Sequence, residues 1–243
     1  ILIITTPIDF NRFKNLLGNG SRIGLRISFK IQDKPNGIAE SFIIGEDFIG
    51  NDDVCLILGD NIFYSEKKIE EIHNGFSNLN KNFSTIFGVK VNNSKDFGVI
   101  EFDKNNNPVK IVEKPKKTTS NIAVSGLYFY KNNVIEIAKN LKPSKRNELE
   151  ITDINNFYLS KKKLDLLKLD SDFSWLDTGT YNSLIEAAKY FQDFENKTGQ
   201  KVACIEEIAL KLGLIGKSKF IETANSMSKS SYGKYLLDRA KNY

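Results

Sequence analysis

An α/β fold, built on a doubly wound and mostly parallel sheet with a small helical C-terminal appendage, is the architecture that this sequence predicts. Three observations predict it. Strand-like and helix-like segments alternate through the first 58 residues: strand at 1–4, helix at 9–17, strand at 27–31, a helix opened by Gly37, and strand at 54–58. That alternation is the mark of strands joined by helical crossovers. The run Val54-Cys-Leu-Ile-Leu58 is apolar throughout and stops at Gly59, as a strand buried on both faces would. Beyond Gly199, residues 206–212 and 230–240 read as short helices. The expected division is therefore 1–198 for the sheet domain and 199–243 for the appendage.

Each element has its own justification. Residues 9–17 place Phe10, Phe13 and Leu17 on one helical face, closed by Gly18 and Gly20. Residues 27–31 alternate apolar and polar. The helix after Gly37 turns Ile38, Phe42 and Ile43 inward. A helix near 67–79 and a strand at 85–91 follow. Residues 97–102 and 109–112 flank the turn-forming stretch 103–108 and predict a hairpin. Residues 123–130 are a long β-like run, and 150–159 align Ile151, Ile154 and Tyr158 as a helix. Strands are expected at 164–169 and around Trp175. From Tyr181, the series Leu184, Ala188 and Phe191 marks a helix ending at Gly199.

Composition narrows the function. The chain has 243 residues, of which 40% are hydrophobic and 27% charged, as in soluble globular proteins. No apolar run approaches the ~20 residues that span a bilayer, and no basic-then-apolar leader is visible, so the cytoplasm is the expected compartment and no membrane partner is expected. The net charge of +5 suits a small anionic substrate as well as it suits nucleic acid. No basic stripe with interleaved aromatics points to nucleic acid. Cys55 and Cys204 have neither metal-ligand nor disulfide-framework spacing, and Cys55 reads as a small core residue. His73 is the only histidine and lies on a polar helix face, so histidine catalysis has no support.

Several segments could carry chemistry. Asp60 follows the strand that ends at Gly59, and Asp177 follows Phe173-Ser-Trp-Leu176 and opens Asp177-Thr-Gly-Thr180. Open α/β sheets bind ligands where strands end, and carboxylates there can hold a divalent cation against phosphates. Taken alone, each aspartate could equally cap a turn. Gln32-Asp-Lys-Pro-Asn-Gly37 can present a side-chain amide and a bare backbone to a base, although Pro35-Asn-Gly37 is also simply a good turn. Glu113-Lys114-Pro115 ends a strand with adjacent opposite charges. Neighbours in a strand point to opposite faces, so only a distortion at Pro115 would let both reach one site. Arg146 precedes a helix start, where guanidinium and helix dipole favour phosphate; pairing with Glu148 or Glu150 is the plainer reading. Trp175 is expected to pack beneath Asp177 and orient it.

The segments Leu58-Gly-Asp-Asn-Ile-Phe-Tyr64, Asp177-Thr-Gly-Thr180 and Glu148-Leu-Glu-Ile-Thr-Asp-Ile154 together closely resemble those of the glucose-1-phosphate thymidylyltransferases, a family of sugar-nucleotide pyrophosphorylases. The resemblance implies a Rossmann-like fold of the nucleotide-diphospho-sugar transferase type. It also implies a Mg²⁺-dependent reaction of dTTP with glucose 1-phosphate that gives dTDP-glucose and pyrophosphate and feeds dTDP-rhamnose and deoxysugar synthesis. It implies Asp60 and Asp177 as Mg²⁺ ligands, Lys114 and Arg146 on the sugar phosphate, and Glu113 on sugar hydroxyls. Gln32 and Gly37 fall to thymine recognition, and Asn61, Gly98 and Val124 to substrate contacts. Phe97 stands where the family often has Tyr. Family members are homotetramers, and residues 201–209 resemble a segment near a regulatory nucleotide site, although a glutamate pair on a helix is ordinarily solvated. In the family a Gly-Gly-x-Gly-Thr-Arg signature precedes the strand matched by residues 1–4. The chain therefore reads as lacking roughly 30–60 upstream residues, about one βαβ unit, and as inactive without them. Two other classes remain open: a non-catalytic sugar-nucleotide-binding subunit, and a glycosyltransferase, against which the absence of an Asp-x-Asp motif at Asp60-Asn-Ile62 argues.

Overall fold

A computed structural model describes residues 1–65 and 69–243. In chain order the elements are β1 (Leu2–Thr5), α1 (Phe10–Leu17), β2 (Ser28–Ile31), α2 (Glu40–Ile44), α3 (Glu46–Ile49), β3 (Val54–Ile57) and β4 (Asn61–Tyr64). They continue with α4 (Ile69–Asn80), β5 (Ser84–Lys90), β6 (Gly98–Phe102), β7 (Pro108–Glu113), β8 (Ile122–Tyr130), α5 (Val134–Lys139) and α6 (Ile151–Ser160). The last are β9 (Leu164–Leu169), β10 (Ser174–Asp177), α7 (Tyr181–Thr198), α8 (Ile205–Lys211), α9 (Lys217–Ser226) and α10 (Ser231–Arg239). The expected helix near 67–79 is α4; its anticipated start at Lys67 lies outside the described residues. Among the described residues no helix is long and apolar enough to cross a membrane.

Two compact units form, one from residues 1–34 with 189–243 and one from residues 35–188. The compact units thus divide at 34/35 and 188/189, where the sequence reading divides the chain at 198/199. In the larger unit a six-stranded sheet runs β7-β6-β8-β5-β9, with β3 also on β8. Strand β8 is antiparallel to β3, β5 and β6, whereas β5 and β9 are parallel. β3, β5 and β9 therefore share one direction, and β8 is interposed against it. The α/β class holds, but the sheet is mixed rather than mostly parallel. β6 runs the same way as β5, and the short stretch 91–97 can join them because Val99 pairs with Ala123 of β8, at the level where β5 ends with Val89 on Ala123 and Lys90 on Ile122.

Strand β8 is the spine of this unit because both of its faces are covered. Val124, Tyr128 and Tyr130 join a core with Ile100, Ile111, Phe42 and Ile154, while Leu127 and Phe129 join a second with Phe87, Leu169 and Phe173. Each such aromatic or aliphatic side chain contributes about 1.5–3 kcal/mol when fully buried. β3 is covered on one side only. Val54, Leu56 and Leu58 pack on the first core, but Cys55 and Ile57, on the alternate positions, are exposed. Cys55 is thus not the core residue the apolar run implied. Likewise Ile38 is 37% exposed while Phe42 is buried, because the helix begins only at Glu40. In α7, Ala187 is buried while Leu184 is exposed, a one-position shift of the packing face.

In the other unit β1 and β2 pair in parallel, and Ile23 shares a core with Cys204, Ala209, Phe220 and Leu236. Glu206 and Glu207 of α8 are buried rather than solvated. Tyr232 donates to Glu206, and Arg239, Lys211, Tyr235 and Tyr243 surround Glu207. Burial would raise the Glu207 pKa, but these hydrogen bonds, Arg239 foremost, outweigh it and hold it at about 2.

Candidate active site

Strand β3 hands over to β4 through a turn that carries Asp60, with the Asn61 N–H donating to the Leu58 carbonyl at 3.1 Å. β4 then pairs antiparallel with β10, placing Asp177 opposite Asn61. The Thr178 N–H and Oγ1 both donate to the Asp60 carbonyl at 2.8 Å, which locks the two strand ends together. As a result the carboxylates of Asp60 and Asp177 flank one point. A Cβ added to Gly179 would sit 3.0 Å from Asp177 Oδ1 and 3.3 Å from Asp60 Oδ2. A glycine there keeps the space between two hard oxygen donors clear. Among the described residues no group of three or more Asp, Glu, His or Cys side chains converges in this way. Two carboxylates fit Mg²⁺, which is commonly held by one or two of them together with substrate phosphates and water.

Asn61 is 9% exposed and its amide is engaged with protein. Its Oδ1 accepts from Trp175 Nε1 at 2.7 Å and from the Gly126 N–H at 3.1 Å, and its Nδ2 donates to Asp60 Oδ1 at 2.8 Å. Trp175 therefore acts on Asp60 through Asn61, and not on Asp177 as its sequence position suggested. Asp177 Oδ1 takes its bond from the Gly179 N–H instead, at 2.8 Å. The Trp175 ring leans on Phe97, with centroids 5.2 Å apart.

A cavity of about 260 Å³ is lined by Asn61, Gly98, Glu113, Lys114, Val124, Arg146 and Asp177, seven of the residues singled out in the sequence. A larger cavity of about 790 Å³ shares Lys114, Trp175 and Asp177 with it and is also lined by Asp60. Both Glu113 and Lys114 reach the smaller cavity because Lys114 adopts a left-handed φ of +42°. Its N–H still donates to the Phe97 carbonyl at 3.0 Å, so the chain turns at the end of β7 without detaching from β6. Holding a non-glycine residue there costs on the order of 1 kcal/mol, a strain found most often at functional sites.

Glu113 Oε2 accepts from Thr152 Oγ1 at 2.6 Å. Arg146 Nε and Nη2 meet Glu150 Oε1 and Oε2 at 3.0 and 2.7 Å, Nη2 also meets Glu148 at 3.1 Å, and Glu113 Oε1 lies 3.6 Å away. Burial tends to raise the Glu150 pKa, but bonds from Arg146 and Ser144 outweigh it and keep it below the usual glutamate value. Tyr128, buried in the cavity floor, is raised above the normal tyrosine range by burial and by the charges of Glu113 and Asp60.

Two predicted residues do not line either of these cavities. Gln32 lies in the other unit, just past β2, with its N–H on the Thr5 carbonyl at 2.9 Å. Gly37 has φ +105°, and a Cβ there would meet the Leu149 carbonyl oxygen at 2.4 Å, so the close approach that demands glycine is to the protein's own backbone. Sequence reasoning gave no role to Thr152, Gly126 or Gly179. Gly126 had a signal, an isolated glycine inside a strand, which marks close backbone approach; here Asn61 occupies the space of its missing Cβ.

The sequence profile of the nucleotidyl transferase family matches residues 1–193. The glucose-1-phosphate thymidylyltransferase of Neisseria meningitidis serogroup A is 48% identical over 98% of this chain and 82% of its own length. That of Mycolicibacterium smegmatis is 44% identical over 98% and 81%. Among solved structures, a Bacillus anthracis protein assigned as a glucose-1-phosphate thymidylyltransferase and crystallised with sucrose superposes with a TM-score of 0.68. It is 38% identical and covers 78% of this chain and 75% of its own. A UDP-glucose pyrophosphorylase bound to UDP-glucose superposes with a TM-score of 0.66 over 79% and 80%; at 24% identity it speaks for the fold alone.

Proposed function

This chain belongs to the nucleotidyl transferase family, and on that footing we propose that it joins glucose 1-phosphate to dTTP, releasing pyrophosphate and dTDP-glucose. The observation that carries the reading is one cavity with Asp177 at one wall, beside Asp60, and Lys114 and Arg146 at another. An oxygen of the sugar phosphate attacks the α-phosphorus of dTTP in line; the P–O bond to the β-phosphate breaks, and the electron pair leaves with pyrophosphate. Catalysis of this kind is mostly positioning and charge neutralisation, without a covalent intermediate.

Each residue has a part in that positioning. The Lys114 ammonium and Arg146 guanidinium hold the sugar phosphate. Glu113, with Oε2 fixed by Thr152, presents Oε1 to a sugar hydroxyl. Gly98 and Val124 shape the sugar subsite. Gln32 reads the pyrimidine edge and Gly37 keeps its loop compact. Asn61 holds the Asp60 carboxylate at its working angle and shapes the cavity wall. Asp60 and Asp177 would hold Mg²⁺, which when bound neutralises the phosphates so that two anionic groups can meet. By the same resemblance the reading includes a cytoplasmic homotetramer that supplies dTDP-rhamnose and deoxysugar synthesis.

The test is isotope exchange. The full-length protein with labelled pyrophosphate, dTDP-glucose and Mg²⁺ should form labelled dTTP, and dTTP with glucose 1-phosphate should release pyrophosphate. Binding of both substrates without exchange would favour a non-catalytic binding subunit.

A further inference from the structure

Three carboxylates surround Arg146, and they are not equivalent. Glu150 is 7% exposed and takes the guanidinium side-on, through Nε and Nη2 together. Its carboxylate is itself fixed, with Ser144 Oγ donating to Oε1 at 2.6 Å. Glu148 touches only Nη2, at 3.1 Å, and lines the cavity. Glu113 stands off at 3.6 Å. Among the described residues none bonds Arg146 Nη1. A planar fork gripped along its Nε–Nη2 edge has its plane set, and the remaining donors point away from the grip. The grip is what a mobile arginine side chain needs if it is to meet a phosphate without losing rotamer entropy at each binding event.

We propose that Glu150, braced by Ser144, is a positioning residue that presents the Nη1 edge of Arg146 to the phosphate of the sugar substrate, while Glu148 is dispensable to that task. The proposal rests on the reading that Arg146 holds the sugar phosphate. Burial separates the two glutamates. A carboxylate shielded from water and anchored by a second hydrogen bond fixes geometry, whereas a partly exposed one at the cavity rim exchanges with solvent and gains little from the pairing. Glu148 also occupies space near an incoming anion, so its removal relieves repulsion.

Steady-state kinetics of the full-length protein tests this. Glu150→Gln should raise the KM for glucose 1-phosphate about tenfold while the KM for dTTP and kcat change less than about twofold. Ser144→Ala, which leaves every charge in place, should shift the same constant in the same direction by less, and it serves if Glu150→Gln fails to fold. Glu148→Gln should leave that KM unchanged or lower it. In an Arg146→Ala background, Glu150→Gln should have no further effect on it. An equal rise in both Michaelis constants, an effect of Glu150→Gln that persists without Arg146, or an equal penalty from Glu148→Gln would each overturn the proposal. Arg146→Ala alone leaving the sugar-phosphate KM unchanged would instead sink the underlying assignment of Arg146.

Discussion

Replacing Gly179 by alanine tests whether Asp60 and Asp177 act on one cation. The added methyl would lie 3.0 Å from Asp177 Oδ1 and 3.3 Å from Asp60 Oδ2, where ordinary contact begins at 3.4 Å. Both carboxylates must then retreat by a few tenths of an ångström. Asp177 resists, because its Oδ1 is held by the Gly179 N–H at 2.8 Å, a charge-assisted bond worth about 1.5–3 kcal/mol. Gly179 is exposed and is not among the positive-φ glycines, so the backbone accepts alanine and the fold should be untouched. A 1 Å misplacement near a reacting centre costs up to about 10²-fold, so tenths of an ångström should cost about tenfold, or ~1.4 kcal/mol. The assay is pyrophosphate release against Mg²⁺ concentration, with thermal melting alongside. The half-saturating Mg²⁺ concentration should rise about tenfold at an unchanged Tm. An unchanged Mg²⁺ dependence would mean that the two carboxylates do not share a cation.

Other outcomes follow from the same geometry. Asp60→Asn and Asp177→Asn should each lower turnover by at least ~10²-fold, as loss of a group that stabilises transition-state charge does, with folding retained by circular dichroism. Lys114→Gly should relieve the left-handed strain at φ +42°, gaining on the order of 1 kcal/mol in denaturant unfolding, while weakening the sugar phosphate in kinetics. Gly37→Ala should cost ~2 kcal/mol or more in the same unfolding experiment, since φ +105° and the Leu149 carbonyl both oppose a side chain. Glu207 has its folded pKa depressed to about 2 from 4.5, so its stabilisation is fully present above pH ~4.5 and is lost as pH falls toward 2. Worth about 3 kcal/mol, it should steepen acid unfolding of the helical core around α8, and Glu207→Gln should flatten that limb.

The local pattern carried most elements but not their pairings. Periodicity placed the hairpin of β6 and β7 and the helix α6 nearly to the residue, since both depend on neighbours in sequence. The antiparallel course of β8 depends on its pairing with β3 and β5, which lie far away in sequence. Reading the alternation of the first 58 residues forward obscured it. Cys55 looked buried because an apolar run does not say which face is covered. The meeting of Asp60 with Asp177 depends on the β4–β10 register, which no local signal encodes, so only their like positions at strand ends and the motif resemblance brought them together. Glu113 and Lys114 sharing a cavity required a backbone twist at Lys114, which Pro115 hinted at without fixing its sign. Glu206 and Glu207 seemed solvated because α8 was read by itself, whereas Tyr232 and Arg239, which enclose them, belong to a helix some thirty residues away.

The short β4–β10 ribbon also has a consequence for how the protein folds. Its two strands close a loop of more than a hundred residues, with Trp175 and Asn61 separated by 114 positions, and closing such a loop is entropically costly before any contact compensates. On a growing chain the carboxylates of Asp60 and Asp177 do not meet until Asp177 has emerged and docked. Any ligand that bridges the two aspartates binds only the closed form and so pulls the ribbon shut by mass action; at a hundred times its dissociation constant it adds about 2.7 kcal/mol. Substrate supply should therefore protect this ribbon from exchange and proteolysis first, well before it protects the buried strand β8.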